Sequence, residues 1–288
     1  MTLRPYLELL RPANLATAAA DILAGFAVAG LGNHNALPWL VGAAVCLYGG
    51  GVVLNDYFDR ELDSIERPER PIPSGRVRPA AAAAFGTTLL LAGIVTASLA
   101  TPLSGLIAGA IAAFVVLYDG WGNRQAILGP VNMGICRGLN LILGISAVPT
   151  AVSGSWRLAL LPFVYICGVT ALSRGEVHGG DRTTVLFSLL CVVSVLAGAL
   201  FLTFSPGHRS LAGGGLVAVL GWRILPPFWR AYKDPQPVVI RNAVKTGVLS
   251  LVFLDAVIGA AYAGSLYGLV VLTAALLAGR LARMFAVT

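Results

Sequence analysis

Residues 54–77 read LNDYFDRELDSIERPERPIPSGRV and hold six acids and four arginines, in a chain of 288 residues that is 57% hydrophobic and only 11% charged. Upstream of this stretch the chain is almost wholly apolar. Within it, the three prolines and one glycine of RPERPIPSGR (67–76) forbid a long helix. The charge therefore marks a junction between an apolar segment and a stiff loop.

Working outward, a mean hydropathy of +0.81 over the whole chain is that of membrane helices rather than of a soluble core. Segments of roughly 20 apolar residues recur at about 13–31, 38–56, 80–100, 103–119, 127–148, 157–173, 183–204, 210–229, 239–262 and 265–285. The last two are divided only by Gly264-Ser265, which leaves nine or ten spans. The expectation is an all-α, polytopic transmembrane bundle of nine to ten helices, with a central cavity open to the cytoplasmic side. With no polar linker between halves, residues 1–288 read as a single integral-membrane domain. The first apolar stretch lacks the short core and cleavage site of a signal peptide.

The connectors alternate in character. The cations in and directly beside GNHNALP (32–38), TPLSG (101–105), PTAVSGSW (149–156), SPGHRS (205–210) and AGS (263–265) are Arg157 and Arg209, against sixteen in the opposite set. The positive-inside rule then predicts an integral protein of the cell inner membrane, with both termini and the charged loops cytoplasmic. A net charge of +7, shared among short loops, is a topology signal and not a nucleic-acid surface. Cys46, Cys136, Cys167 and Cys191 each sit in apolar runs, without metal-ligand spacing, and read as small buried hydrophobes. No inverted repeat supports a secondary transporter.

In NDYFDRELD (55–63), Asp56, Asp59 and Asp63 stand at i, i+3 and i+7, so a continuing helix puts them with Asn55 on one face. Like charges so placed repel unless a cation sits among them. Such hard oxygen donors suit Mg²⁺, which keeps waters and bridges to substrate phosphates; a solvated juxtamembrane helix of alternating charge is the other reading. The loop that follows holds Arg67, Arg70 and Arg76, whose planar donor forks match phosphate oxygens. Asp21, Arg137 and Asp255 fall inside apolar spans and should face the bundle interior. For Arg137, in NMGICRGLN (132–140), substrate contact and structural pairing both stand; for Asp255, pairing is favoured. Tyr48, Tyr57, Phe58, Tyr118, Trp121 and Tyr165 lie near the expected mouth, where a ring face can stabilise a cation or simply sit at the membrane interface.

NDYFDRELD followed by RPIPSGRV resembles the first signature of the UbiA superfamily of intramembrane prenyltransferases. RPAN (11–14) is similar to that family's entry to its first helix, and YDGWGNR (118–124) with GPVN (129–132) to its next cytoplasmic loop. The resemblance implies that Asp56, Asp59, Asp63 and Asn55 bind Mg²⁺ and the diphosphate of an isoprenoid donor. It implies substrate contacts for Asn14, Arg70, Tyr118, Asn132 and Arg137, and for Arg124 as the diphosphate cation, since Asn123 replaces a lysine usual there. The second acidic signature falls on ALSRGEVHGGD (171–181). Ser173 stands where the first aspartate is expected; Glu176 and Asp181 remain as catalytic and metal-binding carboxylates, with Arg174 as an alternative diphosphate contact. SRGEVHGG is also similar to an EboC-like branch of the superfamily.

The implied activity is Mg²⁺-dependent transfer of an isoprenoid chain from a prenyl diphosphate to a small hydrophobic or aromatic acceptor within the membrane lipid, with no nucleic-acid partner. The departures at Ser173 and Asn123 leave open a catalytically degenerate relative that binds or moves a prenylated or amphipathic metabolite.

Overall fold

The computed structural model describes residues 3–205 and 211–284, without the side chains of Arg124 and Leu211. The described chain is helical throughout, with no strand among the described residues. In order the helices are α1 (Arg4–Leu10), α2 (Pro12–Val28), α3 (Leu37–Phe58), α4 (Arg60–Glu66), α5 (Pro79–Ala100), α6 (Pro102–Gly120), α7 (Leu128–Ile145), α8 (Pro149–Ser155), α9 (Leu160–Ser173), α10 (Arg182–Phe204), α11 (Leu211–Lys233), α12 (Pro237–Ala263) and α13 (Ser265–Leu281). Short 3₁₀ turns at Gly122–Arg124 and Trp156–Ala159 precede α7 and α9.

Proline sets many of the helix starts. α2, α3, α5, α6, α8 and α12 each carry one in the first two positions, where its missing N–H breaks no helical bond and its fixed φ suits the helix. Thr101 accepts the Ser104 N–H at the start of α6. Gly264, at φ +89, turns the chain between α12 and α13, so the last two apolar segments are separate helices. The expected connector 149–156 is already helical, and α8 runs on through its 3₁₀ turn into α9 as one segment, Pro149–Ser173.

Among the described residues, seven helical segments are long and apolar enough to cross a membrane, and α2 and α13 are shorter apolar helices. α11 carries Pro226, Pro227 and basic residues in its last turn. Its expected span began at residue 210, and the loop 205–210 falls largely outside the described residues, Arg209 included.

Two cores meet on a shared pair of helices. One joins α2, α3, α5, α6 and α7; the other joins α2 and α7 to α9, α10, α11 and α12. α2 and α7 cross closely at glycine. A Cβ at Gly144 would lie 2.6 Å from the Ile22 carbonyl oxygen, and Gly25 faces Gly144 across the same contact. Small residues let membrane helices approach in this way. A third, smaller cluster packs Ile72 and Val77 of the proline-rich loop against Leu9 and Val53, which fixes the loop beneath α1 and beside the end of α3. The chain is an integral membrane protein of the helical-bundle class.

Candidate active site

The site is built where α3 ends. Asp59 caps α3, with its N–H on the Asn55 carbonyl, and the Asp63 N–H returns to the Asp59 carbonyl, so α4 continues the turn of α3 with a small kink. The expected one-face placement of the acids therefore holds only approximately, and their partners differ. Asp56 accepts from Arg11 Nη2 at 2.6 Å and Arg70 Nη1 at 3.2 Å; Asp63 accepts from Arg70 Nη1 at 2.7 Å. The cations among these two acids are arginines, one supplied by the loop and the other 45 residues upstream in sequence. Arg11 takes the left-handed backbone conformation, φ 45, between α1 and α2, a strained geometry for a non-glycine residue that orients the side chain toward Asp56.

Among the described residues Asp59 hydrogen-bonds to amides: Asn55 Nδ2 donates to it at 3.1 Å and Asn123 Nδ2 at 2.9 Å. Burial and the Asp63 carboxylate raise the pKa of Asp59. Burial likewise raises that of Asp63, against the pull of Arg70. Arg67 reaches the buried Glu176 at 3.5 Å. Burial pushes the Glu176 carboxyl up, with Arg67 opposing, and lowers the Arg67 guanidinium, helped by neighbouring Arg70.

These groups rim a cavity of about 890 Å³ that descends among α2, α3, α6, α7, α9 and α12. Its mouth is polar, and its interior is lined by Leu47, Ile111, Val115, Ile166, Val169 and Leu251. Of the residues singled out from sequence, Asp59, Asp63, Glu176, Asn14 and Asn55 line it, and so do Arg70, Tyr118, Arg137 and Arg174. Asp56 lies behind the rim, on an adjoining hollow of about 430 Å³ shared with Glu8, Arg11, Arg67, Arg76 and Arg241. Arg174 Nη1 donates to the Asn123 carbonyl at 3.0 Å, tying the loop after α9 to the one after α6. Deeper, Arg137 pairs with Asp21 at 2.7 Å and donates to the Thr17 carbonyl, while Asn140 donates to the same Asp21 carboxylate. Arg137 thus both lines the cavity and is structurally paired. Asp255 is buried on α12 away from the cavity lining.

Besides Asp56, two of the expected residues are not brought to the cavity. Asp181 is exposed and caps α10, accepting from the Thr184 N–H and hydroxyl at 2.7 Å each. Those bonds favour its ionised form and lower its pKa. Its sequence spacing in the second signature is overridden by the start of a helix, for which aspartate is a preferred cap. Asn132 is buried on α7 outside the cavity lining and accepts from Cys136. The side chain of Arg124 lies outside the described residues. Tyr165, expected near the mouth, is a core residue whose hydroxyl donates to the Gly247 carbonyl at 2.8 Å. The four cysteines are unpaired and at least partly buried.

Arg67, read from sequence with the phosphate-matching arginines of the loop, lines the cavity, and Arg11 and Asp119 line it without having been read as site residues. Arg11 stood in RPAN and so had a local signal. Asp119, the second residue of YDGWGNR, is buried at the end of α6 and lines the cavity with its Oδ2 unpartnered; only its charge marked it.

The UbiA prenyltransferase family matches residues 18–174, more than half of the chain. A digeranylgeranylglyceryl phosphate synthase of Methanothrix thermoacetophila is 33% identical over 207 residues, which is 66% of this chain and 77% of that protein. The protein of the same name from Methanoculleus marisnigri is 29% identical over 86% of this chain and 94% of its own length. Among solved structures, one concerning digeranylgeranylglyceryl phosphate synthase in membranes superposes with a TM-score of 0.66 at 21% identity, over 90% of this chain and 98% of its own. A UbiA homologue from Archaeoglobus fulgidus bound to GPP and Mg²⁺ does so with a TM-score of 0.58 at 14% identity, over 88% and 99%. The names of these relatives carry a glyceryl phosphate and not the small aromatic acceptor expected from the sequence. With the match over more than half of its length and the shared fold, the chain belongs to the UbiA prenyltransferase family and is a membrane-embedded prenyltransferase.

Proposed function

We propose that the chain transfers an isoprenoid chain from a prenyl diphosphate to the hydroxyl of a glyceryl-phosphate type lipid, at a cavity facing the cytoplasm. The observation that carries this reading is the stacking of two anion-binding regions on one apolar chamber. The first is the carboxylate–arginine rim of Asp59, Asp63 and Arg70, with Asp56 behind it; the second is the adjoining hollow, in which Arg76 and Arg241 join Arg11 and Arg67 beside Glu8, Glu66 and Glu69. Either acceptor sits beside the donor diphosphate, and a phosphate monoester brings more negative charge to the second region than the single carboxylate of an aromatic acid. The names of the relatives point the same way, and the bias of Lys and Arg among the connectors supports the cytoplasmic orientation.

The donor set fits Mg²⁺. Asp59, Asp63 and Glu176 offer carboxylate oxygens and Asn55 an amide oxygen at the cavity, the hard donors such an ion takes together with substrate phosphates and water. Asp56, Asp59, Asp63, Asn55 and Glu176 are the residues that would hold it. Mg²⁺ there supplies charge neutralisation of the leaving diphosphate, so that the allylic C–O bond ionises. Arg11 and Arg70 keep Asp56 and Asp63 in place and offer their remaining N–H groups to the diphosphate oxygens. Tyr48, Tyr57 and Tyr118 line the cavity; Arg137 lies over the Tyr48 ring and Arg60 over that of Tyr57, which leaves the Tyr118 ring to stabilise developing positive charge. The apolar walls below hold the isoprenoid tail and exclude water that would otherwise capture the cation. The acceptor oxygen forms the new C–O bond as diphosphate leaves, and the hydroxyl proton departs with the diphosphate.

The test is product formation and diphosphate release by the purified chain with Mg²⁺, a panel of prenyl diphosphates, and glyceryl-phosphate lipids set against aromatic acids. Turnover with the glyceryl-phosphate lipids is expected, and Asp56→Ala should lower it by roughly 10²-fold or more. Turnover with aromatic acids alone overturns the acceptor, and binding without release across the whole panel favours a non-catalytic carrier.

A further inference from the structure

The three aspartates of the first signature are not electrostatically equal. Asp56 and Asp63 are already matched by Arg11 and Arg70. Among the described residues Asp59 has the amides of Asn55 and Asn123 as its hydrogen-bond partners. Close to it stands Asp119, on the last turn of α6, 95% buried by its 5% residual exposure, lining the cavity, with Oδ2 unpartnered. Asn55 is within reach of both carboxylates, and the Oδ1 of Asn123, which holds Asp59 through its amide nitrogen, is unpartnered as well. Among the described residues neither Asp59 nor Asp119 forms an ion pair with a guanidinium or ammonium group.

The second signature leaves the opposite wall short of acid. Ser173 lines the cavity but turns its hydroxyl to the Thr170 carbonyl at 2.9 Å. Asp181 is engaged in capping α10. Glu176 is the only carboxylate that segment brings to the cavity, and it already faces Arg67.

We propose that Asp119 of α6 supplies the carboxylate that, with Asp59, holds the divalent cation on the donor diphosphate, and so makes up from the first signature's side for the acids that Ser173 and Asp181 do not bring to the cavity. A buried, unpaired carboxylate is costly, and two near each other are more so; a divalent cation offsets both charges at once. Aspartate and asparagine oxygens are the donors such an ion takes, with waters and phosphate oxygens completing the shell. The inference rests on the Mg²⁺-dependent reading given above, and it assigns different work to the acids of the first signature. Asp59 and Asp119 would give their charge to the ion alone, while Asp56 and Asp63 share theirs with the arginines that meet the diphosphate.

Mn²⁺ binding by the full-length protein in detergent, followed by electron paramagnetic resonance with a non-ionising prenyl thiolodiphosphate present, tests this without relying on turnover. Wild type should take up Mn²⁺. Asp119→Asn should weaken its affinity by about tenfold or more, since even outer-shell changes cost roughly 10–100-fold, whereas Asp181→Asn should leave it unchanged. The melting temperature of the metal-free Asp119→Asn protein should equal or exceed that of wild type, because an uncompensated buried charge has been removed. If the asparagine variant does not fold, Asp119→Ser is measured, with the same loss expected. Wild-type affinity in a folded Asp119 variant overturns the inference and leaves the Mg²⁺ reading intact. Absence of Mn²⁺ uptake by wild type itself overturns both.

Discussion

Glu176 is the residue on which burial and charge compete most openly. It is almost fully buried, faces Arg67 at 3.5 Å, and has one carboxylate oxygen unpartnered. Burial outweighs Arg67 and raises its pKa. A carboxyl whose folded pKa is raised takes up its proton sooner in the native than in the unfolded protein. It therefore subtracts stability above its folded pKa, and that penalty fades as pH falls through this value toward the ordinary glutamate range near about 4.3. Glu176→Gln cannot titrate, so its melting temperature relative to wild type should improve as pH rises out of the ordinary glutamate range and level off once the folded carboxyl is ionised. A relative stability that instead falls with rising pH would show that Arg67, not burial, governs the group.

At the scale of elements, the crossing of α2 and α7 decides where the deep polar groups meet. Asp21 and Arg137 pair only because Gly25 and Gly144 let the two backbones touch. A methyl group at residue 144 must push against the Ile22 backbone, 2.6 Å from its carbonyl oxygen, and backbone cannot step aside as a flexible side chain does. Gly144→Ala should destabilise the protein by about 1–3 kcal/mol through overpacking, read as a lower melting temperature in detergent. Gly109→Ala, on α6 with open space around the new Cβ, is the control. It should be neutral or stabilising by up to about 1 kcal/mol from helix propensity alone. Equal losses for both would remove the close contact as the cause.

At the scale of the whole molecule, the cavity mouth is laced by contacts between segments far apart in sequence. Arg67 of the first loop meets Glu176. Arg241, at the start of α12, donates to the Glu176 carbonyl at 3.2 Å, and the Gly180 N–H bonds the Pro235 carbonyl at 3.1 Å. Residues 174–180 are thus held by both halves of the bundle and have no helix of their own. Arg241→Ala should speed amide exchange in 174–180 by roughly fivefold or more, the loss of about 1 kcal/mol of hydrogen bonding, while the buried helices keep wild-type protection. Unchanged exchange in that loop would mean that the Pro235 contact alone suffices to hold it.

Much of this arrangement was legible in the sequence because it is local. Runs of apolar residues, prolines at helix starts and charged connectors set the number and kind of the helices, since membrane length and backbone hydrogen bonding leave few alternatives. The spacing of Asn55, Asp56, Asp59 and Asp63 and the stiffness of the loop after them put the first half of the site at one mouth for the same reason. Which carboxylate meets which partner was not legible. Arg11 reaches Asp56 across 45 positions, Asp181 turns away to start a helix, Asn132 stays outside the cavity, and Asp119 arrives on a different helix altogether. Charge pairing between distant segments depends on how helices cross and where backbones can touch, and only the tertiary packing of α2, α3, α6 and α7 decided it.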